Sequence, residues 1–159
     1  MDTLMERGLS SHSCAPRQEL LLFGPQKIEK YWPQIEQALD VQPELWDVAN
    51  TKDSLLARAL AGHIQVWALA TNDVLHVVFF TQLYQTVTTT IFQIFWAYGE
   101  DLISSMPFVN DAFDSFAAAQ GASRIEVQGR KGFEPLLKRI GYKVDYVTYT
   151  RPVSVSRGN

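Results

Sequence analysis

Residues 63–99 read HIQVWALATNDVLHVVFFTQLYQTVTTTIFQIFWAYG, and this stretch decides the fold class. It is rich in β-branched and aromatic residues, which favour strands, and we predict three strands, at His63–Ala70, Val74–Leu83 and Val87–Tyr98. The residues at 71–73, Thr-Asn-Asp, are typical of a tight hairpin turn between the first two strands. In the middle strand both alternating sets of side chains are largely apolar, so we expect it at the centre of a sheet that is covered on both faces.

Helical patterns lie on both sides of this stretch. Apolar residues three and four positions apart predict a helix before it, in which Pro33 should mark a kink or the first turn. After it, Ser104 or Ser105 can cap a helix that runs to Gln120. The first of these helices spans 26–39. The other predicted elements are a first strand at 19–23, helices at 51–62 and 135–140, and strands at 123–128 and 143–153. This order predicts a mixed α/β fold, with a central mixed β-sheet flanked by helices on both faces.

The length of 159 residues is that of one domain. We expect a single domain at 19–153, preceded by an extended N-terminal arm at 1–18 and followed by a tail at 154–159. The single cysteine, Cys14, excludes a disulfide framework and a four-cysteine zinc site. No stretch approaches the roughly 18 apolar residues of a membrane span, so no membrane partner is expected.

The charges are distributed unevenly along the chain. Residues 1–120 hold 6 basic and 14 acidic side chains, whereas residues 121–159 hold 8 basic and 3 acidic ones. The basic residues of the C-terminal part are Arg124, Arg130, Lys131, Lys138, Arg139, Lys143, Arg151 and Arg157. Either they form the solvated faces of strands and a helix, or they form a site for an anion or a nucleic acid. The first interpretation is favoured, because no aromatic RNA-binding motif accompanies the charges.

The order of elements and three stretches of sequence resemble the GNAT N-acetyltransferase superfamily over about residues 19–153. The stretches are YWPQIEQAL at 31–39, GHIQVWAL at 62–69, and GRKGFEPLLKRIGY at 129–142 followed by KVDYVTYTRPV. Together they are similar to the GNAT-like proteins encoded among the virion genes of tailed bacteriophages. The resemblance implies the GNAT fold, but a fold does not by itself give a function.

In the enzymes of this superfamily, the loop after the fourth strand holds the pyrophosphate of coenzyme A on free backbone N–H groups at the start of the next helix. That loop has the form Q/R-x-x-G-x-G/A, whereas this chain has YGEDLISSMP at 98–107. One glycine remains, and the carboxylates of Glu100 and Asp101 repel a pyrophosphate. If coenzyme A binds nevertheless, the contacts that the resemblance implies are Gly99, Ser104, Ser105, Gln128 and Arg130.

Amine acetylation also needs a base and an acid. The family often places a tyrosine four residues before the glycine that ends its last helix, and in LLKRIGY that position is Leu137. It often places a glutamate on the fourth strand as the base, whereas residues 87–98 hold no Asp or Glu. Gln93 is the nearest polar residue on that strand, and an amide cannot act as a base. The remaining substitutes are Tyr98, Tyr142 and His76. No catalytic residue is therefore expected.

No metal site is expected either. His12 and Cys14 form an H-x-C pair, but a structural zinc site takes four ligands. The glycines of GRKG at 129–132 fit two interpretations, a phosphate grip that includes Arg130 or a turn that requires glycine.

These observations favour a non-catalytic, GNAT-like structural or scaffolding protein of a bacteriophage particle, located in the tail, near the portal or inside the head. We expect it to be made in the host cytoplasm, to reside in the virion without a cofactor, and to contact other virion proteins through its N-terminal arm; a homo-oligomer is left open. One alternative is an N-acetyltransferase that uses acetyl-CoA, which predicts a cleft between the fourth and fifth strands, splayed apart at Gly99 and Gln128. The other is a module that binds an anion or a nucleic acid.

Overall fold

The computed structural model describes residues 18–41, 51–129 and 131–154, apart from the side chain of Lys131. This part of the chain contains five strands and four α-helices. The strands are β1 (Glu19–Leu22), β2 (Gln65–Thr71), β3 (Val74–Gln85), β4 (Thr90–Gly99) and β5 (Ala122–Val127), and the helices are α1 (Pro25–Val41), α2 (Lys52–Leu60), α3 (Leu102–Ala119) and α4 (Glu134–Arg139). Among these residues, no helix has the length and apolar character needed to cross a membrane. Only Gln18 of the predicted arm and Ser154 of the predicted tail lie within the described residues.

The strands form one sheet in the order β1-β2-β3-β4-β5. Neighbouring strands are antiparallel except β4 and β5, which are parallel and connected by α3; parallel neighbours need such a crossover. The turn between β2 and β3 places Asn72 at φ 49° and Asp73 at φ 65°, the left-handed conformation that a two-residue hairpin turn takes. The predicted hairpin and the predicted mixed sheet are therefore confirmed.

The core consists of two clusters, one on each face of the sheet. On one face, α1 and α2 cover a cluster that includes Phe80 and Trp96. On the other face, α3 covers a cluster that includes Phe79 and Phe113. Phe79 and Phe80 are adjacent in β3, are each 0% exposed and belong to different clusters. The middle strand is thus covered on both faces, as its sequence predicts.

The helix α1 does not break at its internal proline. It begins at Pro25, and a proline suits the first helical turn because the N–H that it lacks would have no partner there. Pro33 lies inside the helix, neither at its first turn nor at its end. The helix continues past it because Ile28 before the proline and Ile35 and Leu39 after it are buried in the same cluster.

The start of α3 differs from the prediction, whereas the start of α2 agrees with it. Thr51 caps α2, and its hydroxyl accepts a hydrogen bond from the N–H of Ser54. In α3, Asp101 precedes the first helical residue, so Ser104 and Ser105 lie within the first turn and are not the cap. Their short side chains instead donate to the carbonyl oxygen of Asp101, a backbone interaction that serine commonly makes near helix starts.

The predicted last strand, at 143–153, is wrong, because these residues form no ladder with the sheet in the described part of the chain. Arg124 of β5 forms an ion pair with Asp145, which holds this segment beside the sheet. The large apolar side chains of the segment are exposed, and they are Val144, Tyr146, Val147, Tyr149 and Val153. An alternating sequence forms a strand when one of its faces packs against a neighbouring element. In this segment neither face packs, because all of its residues are exposed.

Candidate functional site

The strand β5 runs beside only the first half of β4. Their pairing ends at Ile94 and Val127, followed by one more bond of 2.9 Å from the N–H of Gln128 to the carbonyl oxygen of Ile94. Beyond this point β4 continues to Gly99 along β3 alone. A cleft therefore opens between β4 and β5, at the position that the enzyme alternative predicts.

A bulge in β4 accompanies the separation of the two strands. Trp96 lies opposite Phe80 and Ile94 lies opposite Thr81, so Phe95 is an extra residue on β4. A bulged strand bends and twists more strongly than a regular one. The bulge follows directly after the last residue of β4 that pairs with β5, so it lies at the point where the two strands separate.

The cleft is lined almost entirely by apolar groups. Its walls are β4, β5, the first turns of α3, and α4 with the turn that precedes it. The lining residues are Phe79, Ile94, Phe95, Trp96, Ala97, Leu102, Met106, Val127, Gln128, Gly129, Phe133, Leu136 and Leu137. Gln128 contributes an amide, and the indole N–H of Trp96 is buried without an acceptor among the described residues. The volume of the cleft is about 80 Å³, small beside the roughly 300–1,000 Å³ of typical small-molecule sites.

One wall of the cleft is an unpaired strand edge. From Phe95 to Gly99, β4 is bonded to β3 on one side, while no strand pairs with its other side in the ranges that the structure describes. Peptide groups at such an edge need hydrogen-bond partners from water or from a bound molecule. The cleft thus combines an apolar lining with a polar backbone edge.

The structure does not gather the candidate coenzyme A contacts into one place. Ser104 and Ser105 border a separate surface depression of about 490 Å³, together with Asp101. Both serine hydroxyls donate to the carbonyl oxygen of Asp101, so the backbone of their own helix already engages them. Gln128 lines the cleft, and Arg130 lies outside the described residues.

Gly99 has a packing reason to be glycine. A Cβ at this position would lie 2.7 Å from the Cα of Val77, and closer still to the carbonyl oxygen of His76. Real side chains do not approach a backbone so closely, so β4 lies against β3 here only because the side chain is absent. The presence of Gly99 is therefore explained without a cofactor, and its contact with coenzyme A stays a prediction, like that of the other four candidates.

No titratable side chain lines the cleft in the described part of the chain. Leu137, in the position where the family often has its tyrosine, is one of the apolar lining residues. Tyr98 stacks on Trp96 with 6.2 Å between ring centroids. The hydroxyl of Tyr142 is buried with no partner among the described residues, and burial raises the pKa of its phenol to about 12. Such a phenol keeps its proton at neutral pH and is a weak acid.

A carboxylate that no motif revealed, that of Glu126, lies on β5. It accepts a hydrogen bond of 2.6 Å from the hydroxyl of Tyr84 and lies 3.0 Å from the guanidinium of Arg124. The hydrogen bond to Glu126, with a further contribution from burial, raises the pKa of Tyr84 to about 12. Arg124 and Glu126 are two positions apart, and strand alternation could have placed them on one face. Glu126 is not among the residues that line the cleft.

Two basic side chains of the C-terminal part, those of Arg124 and Lys138, have acidic partners. Arg124 is paired with Glu126 and Asp145. The ammonium of Lys138 lies 2.6 Å from the carboxylate of Glu134. In these pairs acidic side chains neutralise basic ones at the protein surface, as the first interpretation of the basic residues predicts. They also reduce the positive charge that a nucleic acid would meet.

No group of three or more metal-binding side chains occurs among the residues that the structure describes. The H-x-C pair of His12 and Cys14 lies outside them.

Three solved structures with a similar fold are acetyltransferases. A probable acetyltransferase has a TM-score of 0.66 at 11% identity and covers 87% of this chain and 99% of its own. An aminoglycoside acetyltransferase from an uncultured soil metagenomic sample, in complex with sisomicin, has a TM-score of 0.66 at 10% identity, over 86% of this chain and 97% of its own. A ribosomal-protein-alanine N-acetyltransferase from Brucella melitensis biovar Abortus 2308 has a TM-score of 0.63 at 10% identity and covers 85% of this chain and 99% of its own.

The chain therefore has the GNAT fold, as the resemblance of its sequence implies. No protein-family model and no curated protein matches the sequence. At identities near a tenth the likeness concerns the fold, so the activity has to be judged from the site itself.

Proposed function

We propose that this chain is a non-catalytic protein with a GNAT fold that acts by binding other proteins. The observation that carries the proposal is the chemistry of the cleft between β4 and β5. Acetyl transfer to an amine needs one group that accepts a proton and one that donates a proton to the departing thiolate. In the ranges that the structure describes, the cleft lining offers apolar groups, one amide and one indole. None of these groups can accept the proton of the amine or donate a proton to the thiolate.

The size of the cleft and the two carboxylates that follow β4 also disfavour coenzyme A. Its volume of about 80 Å³ is well below that of a typical site for a small molecule. At the end of β4 the exposed carboxylates of Glu100 and Asp101 replace the neutral or basic residues of the family loop. Like charges repel, so a pyrophosphate bound in this loop would meet repulsion from both carboxylates, weakened by the water around their exposed side chains.

An acetyl-transfer assay tests the absence of catalysis. The purified chain is mixed with acetyl-CoA and a panel of amines (aminoglycosides, polyamines and peptides with free N-termini), and the release of free thiol is followed against a blank without protein. We expect the rate to equal that of the blank for every amine. Release above the blank contradicts the proposal if it is lost in Gly129→Leu, whose side chain would grow toward Leu137 in the cleft. Gly132→Leu, which extends into open space, is the matched control.

Within the same proposal, the protein is a structural or scaffolding component of a bacteriophage particle, made in the host cytoplasm and held by other virion proteins. The support is the resemblance of the stretches at 31–39, 62–69 and 129–153 to GNAT-like virion proteins. Deletion of residues 1–18 removes none of the buried residues of the two clusters. We therefore expect the truncated protein to fold but to be lost from assembled particles, and normal incorporation contradicts this role of the arm.

An N-acetyltransferase is the second candidate, and one observation favours it. The bulge at Phe95 and the separation of β4 from β5 after Ile94 are retained, and they produce the cleft that this candidate predicts. It requires saturable binding of acetyl-CoA in that cleft and an acid or base brought in from outside the lining.

A further inference from the structure

We infer that the cleft between β4 and β5 binds an extended peptide of a partner protein, in which apolar residues are followed by basic ones. The inference rests on the proposed function, because it names the kind of partner that a non-catalytic cleft would take. Three observations lead to it: an unpaired strand edge, an apolar lining and two exposed acidic residues directly after β4.

The strand edge determines the backbone of the occupant. From Phe95 to Gly99, β4 has no neighbour on the side of β5 among the described residues. An extended peptide presents N–H and C=O groups at the spacing of a strand, and it can therefore add to such an edge. An apolar ligand without these groups would cover the edge of β4 without offering partners to its peptide groups.

The lining determines the side chains that enter the cleft. Phe133, Leu136 and Leu137 close it opposite β4, and Val127 contributes from β5. An apolar cavity of roughly 150 Å³ holds a benzene molecule, so the volume of about 80 Å³ found here suits a smaller group. A branched aliphatic side chain has this size and character, and its burial against the lining would stabilise the complex.

The two acidic residues after β4 determine which residues of the peptide follow its apolar part. Glu100 and Asp101 come directly after β4, are exposed, and form no ion pair with any described residue. A strand that pairs with β4 in the parallel direction of β5 and continues past Gly99 would carry its next side chains toward these carboxylates. Opposite charges at that position favour association and select against acidic partners.

Fluorescence anisotropy with two labelled probe peptides tests the inference. The first probe is Ac-VIVKK-NH2 and the second is its acidic counterpart, Ac-VIVEE-NH2. We expect saturable, roughly micromolar binding of the basic probe and at least about tenfold weaker binding of the acidic one. The double variant Glu100→Lys, Asp101→Lys should reverse this preference. Its fold should survive, because the side chain of Asp101 makes no capping hydrogen bond.

Two controls separate binding in the cleft from binding elsewhere on the surface. Gly129→Leu should abolish binding of the basic probe, whereas Gly132→Leu should retain it, because only the first substitution grows toward the side chains of the cleft. A version of the basic probe with N-methylated apolar residues should also fail, because it cannot donate to the edge of β4.

Absence of binding for both probes, equal binding of both, or full retention of binding in Gly129→Leu overturns the inference. A parallel titration with acetyl-CoA distinguishes failure of the peptide inference from failure of the proposed function. If neither the peptides nor acetyl-CoA bind, the peptide inference fails and the proposed function stands. If acetyl-CoA binds in the cleft, the proposed function fails.

Discussion

At the end of β4, Gly99 lets the strand lie directly against the backbone of β3. The atoms that exclude a side chain there are those of His76 and Val77, which belong to a buried central strand and cannot move aside without disturbing both clusters. The same position is where the enzymes of this fold begin their cofactor loop. A glycine at this place is therefore weak support for cofactor binding, because packing alone requires it.

We predict that Gly99→Ala lowers the free energy of unfolding by about 1–3 kcal/mol, the usual effect of forcing extra atoms into a packed region. Gly132→Ala is the matched control, because a Cβ at Gly132 meets no atom within 4 Å. Urea denaturation followed by tryptophan fluorescence measures both. Equal stability of the two variants would show that β4 and β3 are not in close contact at this point.

Tyr142 gives a second prediction at the scale of one residue. Burial raises the pKa of its phenol to about 12 in the folded chain, above the value of about 10 in an unfolded chain. The stabilising contribution of this difference is therefore complete below pH 10 and is lost as the pH rises through 12. Tyr142→Phe should flatten the fall in stability over this range.

The same variant should be at least as stable as the parent at pH 7, because the buried hydroxyl of Tyr142 has no hydrogen-bond partner among the described residues. Thermal unfolding from pH 7 to pH 11.5 measures both effects. A loss of more than about 1 kcal/mol at pH 7 would mean that the hydroxyl makes a stabilising hydrogen bond.

Among the elements, α2 owes its start to a reciprocal pair of hydrogen bonds. The hydroxyl of Thr51 accepts from the N–H of Ser54, and the hydroxyl of Ser54 accepts from the N–H of Thr51. Both bonds satisfy N–H groups that the helix itself leaves without partners. The helix in turn supplies Leu55 and Ala59 to one of the two clusters.

We predict that Thr51→Ala destabilises the protein by about 1 kcal/mol, the usual loss at this position. Thr51→Ser keeps the hydroxyl and should stay within a few tenths of the parent value. Chemical denaturation of the three proteins makes the comparison. If the alanine and serine variants have the same stability, the capping bonds of α2 contribute nothing.

The elements also show where a sequence pattern stops being informative. The hairpin at 71–73 and the strands of 63–99 follow from local composition and alternation, and the structure contains them. The segment at 143–153 has the same alternation, yet its apolar side chains stay exposed. Alternation predicts which residues share a face of a strand. It does not predict whether another element covers that face.

At the scale of the whole molecule, the site depends on register between distant strands. The bulge at Phe95 exists because β4 has one residue more than β3 between two pairs that face each other. Register of this kind is set by packing across the sheet and is invisible in a stretch of sequence. By contrast, the spacing from Gly141 is enough to identify Leu137 as the residue at the family's tyrosine position, and the structure places Leu137 in the lining of the cleft.

Calorimetric titration of the full chain with acetyl-CoA is the decisive experiment for the proposed function. We propose that the apolar cleft, on a fold shared with acetyltransferases and with two acidic residues directly after β4, does not bind acetyl-CoA. The account predicts no saturable heat with acetyl-CoA at millimolar concentration. Saturable binding at micromolar concentration, corresponding to about −8 kcal/mol, would contradict it, above all if binding were lost in Gly129→Leu and kept in Gly132→Leu.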